Sequence, residues 1–358
     1  MLGTSVLGRV LAAATRLKTV RQAARRAARE TLLSALSSVD DTKASGAPIL
    51  VGGEALYDLV AGDGTLTGHA GGGPFNVART IGRLRQPAAF LGRLSTDRLG
   101  ETHVRMLAQD GVALGCVVRT DDPTTLALAS LDADGVASYG FYTAGTAAAG
   151  LTPGDALDAL PAHVAALHVG TLGLVLEPMA SAMEAVVERL AASAMLLVDL
   201  NCRPQAIDEP RAYRERLARV VAHVHVVKAS EEDLRWLDPD RPPLEAARTL
   251  LQHGPTAVLL TRGADGSVAL GAEDETPVAP VPATVVDTIG AGDAFGGGFL
   301  AWWISRGLGA AEFERHDLVV AAAGYGAVVA ARTVAQAGAS PPRLPAAVDG
   351  HDLDAADL

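Results

Sequence analysis

A glycine-rich turn that leads into a helical run constrains the fold more than any other stretch of this chain. The extended run ends at Val286, Gly290-Ala291-Gly292 supplies the turn, and residues 294–305 have the composition of a helix. A glycine turn before a helix leaves backbone N–H groups unpaired at the positive end of the helix dipole. The stretch therefore predicts a site that binds an anion such as phosphate.

A carboxylate, Asp293, follows this turn directly. Simple phosphate storage does not favour a carboxylate there, because the two negative groups repel each other. The carboxylate is useful if it accepts a proton from a hydroxyl group that then attacks phosphorus, while the amides stabilise the transferred group. The alternative is that Asp293 only caps the helix, a role in which aspartate is common.

Strand-like and helical segments alternate from residue 49 onwards. Extended runs are predicted at 49–51, 88–91, 165–169, 195–199, 224–227 and 257–261, with helices at 76–85, 100–110, 178–192, 211–221 and 244–253. This alternation predicts an α/β fold, a mostly parallel central sheet with helices on both faces. Two segments, 56–69 and 117–142, lack long helices and contain the turn signals Asp63-Gly64 and Asp134-Gly135, so they predict a small β-sheet lid.

Composition narrows the class of protein and its location. The chain has 358 residues, 49% of them apolar, and a net charge of −11, which favours a sizeable core and disfavours nucleic-acid binding. We find no apolar run that predicts a membrane span. The two distant cysteines, Cys116 and Cys202, fit a reducing cytoplasm better than a disulfide framework.

The two ends of the chain differ from the middle. Residues 1–46 are rich in arginine, with apolar residues at helical spacing, which fits an amphipathic helix, an organelle transit peptide or a loosely ordered extension. The boundary at 45–48 leaves a predicted domain over 47–345 and a C-terminal tail over 346–358.

A second glycine motif suggests a binding site for hydroxyl groups. Gly72 and Asn76 both lie in the run 71–78. Asp58 lies upstream, at the end of a predicted strand. A carboxylate and an amide that converge can bind sugar hydroxyls, although the glycine run alone would also fit a capped helix. P-loop, dinucleotide, zinc-protease and hydrolase motifs do not occur.

Together, the two glycine motifs resemble those of the PfkB, or ribokinase-like, carbohydrate kinases, and their fructokinase branch in particular. The similarity covers roughly residues 48–340 and includes the D-x-N-x-R run from Asp199 to Arg203. It implies a ribokinase-like three-layer α/β/α fold with a small β-sheet lid, and an ATP-dependent kinase acting on a sugar. It also allows a homodimer formed through the lid.

The resemblance also implies a role for each matching residue. Asp293 would be the catalytic base, and the anion hole would consist of Gly290, Ala291 and Gly292. The implied ATP-binding residues are Thr261, Gly263, Gly266, Ser230 and Lys228, and the substrate-binding residues are Asp58, Gly72, Asn76 and Arg203. Asp233 would help to bind Mg²⁺ and Asp287 a monovalent cation such as K⁺; Arg203 would fit equally well beside the γ-phosphate.

Two positions depart from the family pattern. The usual N-x-x-E is replaced by a run from Ser230 to Asp233, whose shorter carboxylate could reach Mg²⁺ through water or could simply start a helix. Thr143 stands where relatives often have an arginine. Because charged substrates need fixed cations, we expect a neutral sugar such as fructose; 2-keto-3-deoxygluconate, ribose, a nucleoside, or a non-catalytic sugar-binding role are the alternatives.

Overall fold

The computed structural model describes residues 46–62, 65–131 and 137–343. The first strands and helices are β1 (Ile49–Gly52), β2 (Leu56–Gly62), β3 (Thr65–Gly71), α1 (Gly73–Arg83), β4 (Ala88–Ser95), α2 (Arg98–Gln109), β5 (Val112–Ala113), β6 (Val117–Thr120), β7 (Leu126–Leu131) and β8 (Ala137–Tyr142). They are followed by α3 (Pro153–Asp158), β9 (Ala166–Gly170), α4 (Met179–Leu190), β10 (Met195–Asp199), α5 (Pro210–Val221), β11 (Val226–Ser230), α6 (Glu231–Leu237) and α7 (Pro243–Leu251). The last elements are β12 (Ala257–Thr261), β13 (Ser267–Leu270), β14 (Glu275–Val278), α8 (Ala291–Ser305) and α9 (His316–Val334).

The central sheet has the strand order β14-β13-β12-β11-β10-β9-β1-β4-β5, with β6 also paired to β4. Its strands run parallel except at one edge, where β13 is antiparallel to both β12 and β14. Central strands such as β10 are buried along their whole length, as expected when helices cover both faces of a parallel sheet. The predicted α/β fold is confirmed.

Two hydrophobic cores lie on opposite faces of this sheet. Leu196 of β10 belongs to the core formed with α4 and α5, where Val187 and Leu217 lie. The next residue, Leu197, belongs to the core formed with α1 and α8, which contains Trp303. Successive side chains of one strand therefore enter different cores, which is the three-layer arrangement predicted from the sequence.

A separate four-stranded sheet, in the order β3-β2-β7-β8, forms the small second sheet predicted as a lid. The second lid segment begins at β7 and not at residue 117, because β6 pairs with the end of β4 in the central sheet. The short β5 covers only the beginning of β4, so the carboxyl half of β4 would be an open edge without β6. The turns predicted at Asp63-Gly64 and Asp134-Gly135 lie outside the described residues, as do residues 1–45 and 346–358.

Strand order places a crevice at the carboxyl ends of the central strands. β1 pairs with β4 on one side and with β9 on the other, so the chain changes direction across the sheet at β1. In open α/β sheets, ligands bind outside the carboxyl ends of the strands at such a switch point. The segments that follow β1, β9, β10, β11 and β12 all meet at this edge.

Among the described helices, α9 is long and apolar enough to pass a length-and-composition test for a membrane span, with 39% of its most apolar window buried. Its inner residues, including Val319 and Ala323, belong to the same core as Trp303 of α8. A core helix passes this test as readily as a membrane helix does, so the result is weak support for a span.

Candidate active site

The glycine turn is the start of α8. Gly290 is the N-cap residue and has a left-handed backbone (φ 78°), which glycine adopts without the strain that a side chain would cause. The helix begins at Ala291, earlier than the sequence pattern indicated, so Asp293 is its third residue and not its N-cap. The interpretation of Asp293 as a simple N-cap is therefore wrong.

Asp293 is held by the second glycine motif. Its Oδ2 accepts a hydrogen bond of 2.9 Å from Nδ2 of Asn76, which lies in the first turn of α1. Both residues are buried. Burial raises the pKa of Asp293 to about 6; the hydrogen bond from Asn76 opposes this rise, Asp199 adds to it, and Lys228 and Arg203 oppose it. A carboxylate with this pKa is ionised near neutral pH and still basic enough to accept a proton.

Of the predicted anion-hole amides, that of Ala291 donates a long 3.3 Å bond to the carbonyl oxygen of Thr288. The amide of Gly292 lies in the first turn of α8, where helix geometry supplies no intrahelical acceptor. This end of α8 therefore directs N–H groups and the positive end of its dipole to the space beside Asp293.

The other predicted sugar-binding residues are linked to Asp293 through the helix that carries Asn76 and through the charge of Arg203. Gly72 is the N-cap of α1, the helix that carries Asn76. Burial raises the pKa of Asp58 to about 6, and the charge of Arg203 opposes that rise. The charge of Arg203 also opposes the rise in the pKa of Asp293, so Arg203 acts on both carboxyl groups.

One polar atom of this group has no partner within the described part of the chain, namely the buried Oδ1 of Asn76. An amide oxygen accepts hydrogen bonds, so the atom can receive one from a ligand hydroxyl. Asn76 can thus orient the base through its nitrogen and a hydroxyl group through its oxygen.

Glu54 is a site residue that the sequence reasoning did not select. It follows β1 and accepts hydrogen bonds from the amides of Gly73, at 3.2 Å, and Gly173, at 3.0 Å, as well as from the hydroxyl of Thr171. Burial raises its pKa to about 7, although the Thr171 bond opposes the rise. By binding Gly73, Glu54 fixes the start of the helix that carries Asn76; its position after a buried strand was the available signal.

Lys228 does not lie on an open surface as an ATP ligand would. Its Nζ donates to Oδ2 of Asp199 at 2.7 Å, and both side chains are buried. The predicted contact between Lys228 and ATP stays a prediction, while the ion pair itself is a finding. His168 lies beside the pair, and burial lowers its pKa to about 3, so it is neutral.

The other predicted nucleotide residues lie further along the same edge of the sheet. Thr261 ends β12 opposite Ser230, which ends β11. Gly263 and Gly266 bracket the short helical turn that follows Thr261. This turn follows β12, the neighbour of the strand β11 that carries Lys228, so a ligand could extend along the sheet edge from the anion hole to the turn.

Asp233 takes part in a capping box at the start of α6. Its Oδ2 accepts hydrogen bonds from the amide and hydroxyl of Ser230, and its Oδ1 accepts one of 2.7 Å from the amide of Cys202. The interpretation of this acidic run as a helix start is confirmed. A role for Asp233 toward Mg²⁺ stays a prediction, and with these bonds in place it would act through water.

Asp287 joins the glycine turn to the segment after α9. Its Oδ1 accepts from the amide of Ile289 at 3.0 Å and its Oδ2 from the amide of Gly338 at 2.9 Å. Arg79 of α1 holds the same segment by donating to the carbonyl oxygen of Ala339 at 3.2 Å. Carboxylate and carbonyl oxygens are ligands that suit hard cations, so the predicted cation site has the right chemistry at this junction.

The chain is similar to known carbohydrate kinases. Residues 50–347 match the pfkB family carbohydrate kinases. A fructokinase of Rhizobium leguminosarum bv. trifolii is 36% identical over 258 residues, which cover 71% of this chain and 78% of that protein.

Solved structures of fructokinases have a similar fold. A fructokinase with bound ATP from Xylella fastidiosa has a TM-score of 0.75 and 27% identity, covering 83% of this chain and 95% of that one. A fructokinase double mutant from Vibrio cholerae O395, in fructose, ADP and potassium ion bound form, has a TM-score of 0.71 and 25% identity, with coverages of 82% and 94%. The chain therefore belongs to the PfkB family of carbohydrate kinases.

Proposed function

We propose that this protein transfers the γ-phosphoryl group of ATP to a hydroxyl group of a neutral sugar, and that the sugar is fructose or a related hexose. The observation that carries the proposal is the Asn76–Asp293 hydrogen bond at the start of α8, where a buried base and an anion-binding helix end meet. The similarity to fructokinases supports the choice of hexose.

The chemistry follows from the positions of these groups. The sugar hydroxyl gives its proton to Asp293 as its oxygen forms a bond to the γ-phosphorus, and the bond between that phosphorus and the ADP oxygen breaks. The amides of the glycine turn and the guanidinium of Arg203 stabilise the negative charge of the transferring group. Asn76 and Asp58 orient the sugar by accepting hydrogen bonds from its other hydroxyls.

A neutral substrate suits the charges around this site. Asp58, Glu54 and Asp293 bring carboxylates, and Lys228 is already paired with Asp199. Among the described residues, Arg203 forms no ion pair, and its Nη1 donates to the carbonyl oxygens of Asn201 and Cys202. Its predicted place beside the γ-phosphate would use its charge. An anionic sugar or keto-acid would need a further cation.

Mg²⁺ and K⁺ are part of the proposal. Mg²⁺ would arrive with the ATP phosphates, helped by Asp233 through water, and K⁺ would bind beside Asp287. The resemblance also supports a homodimer through the lid: Leu66 of the edge strand β3 is 60% exposed and Tyr142 of the other edge strand, β8, is 59% exposed. A cytoplasmic location remains our expectation for such an enzyme.

The test is ADP release with a panel of acceptors: fructose, ribose, fructose 6-phosphate, 2-keto-3-deoxygluconate and adenosine. Fructose should give the highest kcat/KM; an anionic acceptor whose kcat/KM is higher by tenfold or more would show that the site does not prefer a neutral sugar.

The variant Asp293→Asn should keep ATP binding but lose about 10²–10⁴-fold in kcat, the usual contribution of a general base. The matched control is Asp317→Asn, which makes the same change at an exposed surface pair and should retain turnover.

A further inference from the structure

Two oppositely charged side chains are buried beneath the first turn of α8. Nζ of Lys228 lies 2.7 Å from Oδ2 of Asp199, and the two side chains are only 5% and 1% exposed. They stand opposite each other in the register of the adjacent parallel strands β11 and β10. The pair is therefore fixed by the sheet itself.

Lys228 makes a close approach to the anion hole. A Cβ atom on Gly292 would lie 3.2 Å from Nζ of Lys228, and one on Gly296 would lie 3.7 Å from its Cδ. The lysine chain thus runs under the turn whose amides face the transferring phosphoryl group. Glycine at 292 leaves the room that this approach requires.

This placement works against stability. A cation at a helix N-terminus is repelled by the helix dipole, and a buried ion pair is often no more stabilising than apolar side chains of the same size. In addition, the buried Oδ1 of Asp199 has no hydrogen-bond partner among the described residues. Local arrangements that cost stability are expected where the site uses them.

We propose that Lys228 and Asp199 form a positioning pair for phosphoryl transfer, in which the ammonium adds positive potential beneath the anion hole and Asp199 holds the ammonium there and keeps a negative charge near Asp293. The inference rests on the proposed kinase function and deepens it. Pre-oriented charge in a buried site stabilises a transition state more than the same charge in water. Lys228 would then act through the turn and not by direct contact with ATP.

The charged groups around Asp293 decide the expected pH effect. Glu54 follows β1, Asp199 ends β10, Lys228 lies on β11 and Arg203 lies in the loop after β10, while the neutral neighbours are Asn76 of α1 and His168 of β9. Asp199 raises the pKa of Asp293 more strongly than Lys228 lowers it. Removing the Asp199 charge should therefore lower that pKa.

The experiment measures kcat and kcat/KM for fructose against pH in two variants. In Asp199→Asn, the acidic limb of the pH profile should move to lower pH by about 0.5–1 unit, within the range that a close charge produces. In Asp199→Asn/Lys228→Met, which leaves no lone buried charge, kcat above the limb should fall at least about tenfold while the KM for fructose changes little.

Glu184→Gln is the control, because it neutralises a carboxylate that is paired with Arg216 and Arg219 away from the site. It should change neither the position of the acidic limb nor kcat. Thermal unfolding checks that each variant is folded; if the single variant does not fold, the double variant decides. An unmoved limb in Asp199→Asn, or a double variant whose kcat stays within threefold of wild type, overturns the inference. A wild-type protein that phosphorylates no acceptor would instead refute the proposed function.

Discussion

Replacing Asn76 with alanine tests the contact that carries the proposed function. The variant removes the 2.9 Å hydrogen bond to the carboxylate of Asp293 and leaves a small cavity at the start of α1. Without this donor, the ionised form of Asp293 loses stabilisation, so its pKa should rise above the present value of about 6. Because the base must be ionised to accept a proton, activity should appear only at higher pH.

The size of the effect follows from the charge on the acceptor. A hydrogen bond to an ionised group contributes about 1.5–3 kcal/mol, and about 1.36 kcal/mol corresponds to one pKa unit. The acidic limb of kcat/KM should therefore move upward by about 1–2 pH units. At pH 7, the ionised fraction of Asp293 would fall from about nine-tenths to between about one-half and one-tenth.

The assay is a coupled ADP-release measurement from pH 5 to 9 with ATP and fructose, in buffers of constant ionic strength. The variant also lacks Oδ1, which we propose as a contact to the sugar, so the KM for fructose should rise at every pH. Because this rise does not depend on pH, it can be distinguished from the shift of the acidic limb. Thr102→Ala, on the exposed face of α2, is the control and should keep the wild-type limb. A limb that stays in place in Asn76→Ala would refute the idea that this bond sets the protonation of Asp293.

Three further outcomes are expected. Deleting residues 1–46 should leave folding and activity nearly intact, since every site residue lies beyond them; a truncated chain that cannot fold or turn over would show that the extension belongs to the domain. Asp110→Asn should lower the free energy of unfolding in urea by about 3–5 kcal/mol, because it leaves the buried guanidinium of Arg79 without its charged partner; a change below about 0.5 kcal/mol, the size of an ordinary surface substitution, would contradict this. Replacing K⁺ with a bulky quaternary ammonium ion should lower kcat, and Asp287→Ala should raise the K⁺ concentration for half-maximal activity; equal rates in both salts would remove the cation from the proposal.

The sequence predicts the structure best where a short motif determines the local backbone conformation. The glycine turn before Asp293 and the glycine run before Asn76 predicted two helix starts, and the fold brings them into one hydrogen bond across 217 residues. The strands 195–199 and 257–261 were predicted with the observed bounds, because each is a short apolar run closed by polar residues. Local composition is sufficient for such elements.

Other features depend on partners that are distant in sequence. Nothing near Lys228 indicates that Asp199 is its partner, because the pairing follows from the register of two parallel strands. In the same way, the sequence pattern assigns β6 to the lid, because only the three-dimensional sheet shows the open edge of β4 that it covers. Glu54 was overlooked because its role lies in binding the amide of Gly73, 19 residues away.

The bracing of the catalytic turn by the segment after α9 has a consequence for how the enzyme is made. On the ribosome, Asp287 and Asp293 emerge before Gly338, which donates a hydrogen bond to Asp287, and before Ala339, which accepts one from Arg79. Long-range contacts of this kind form late, because the intervening chain must first be ordered. A nascent chain therefore carries Asp287 and Asp293 before it contains the residues that hold the turn from this side.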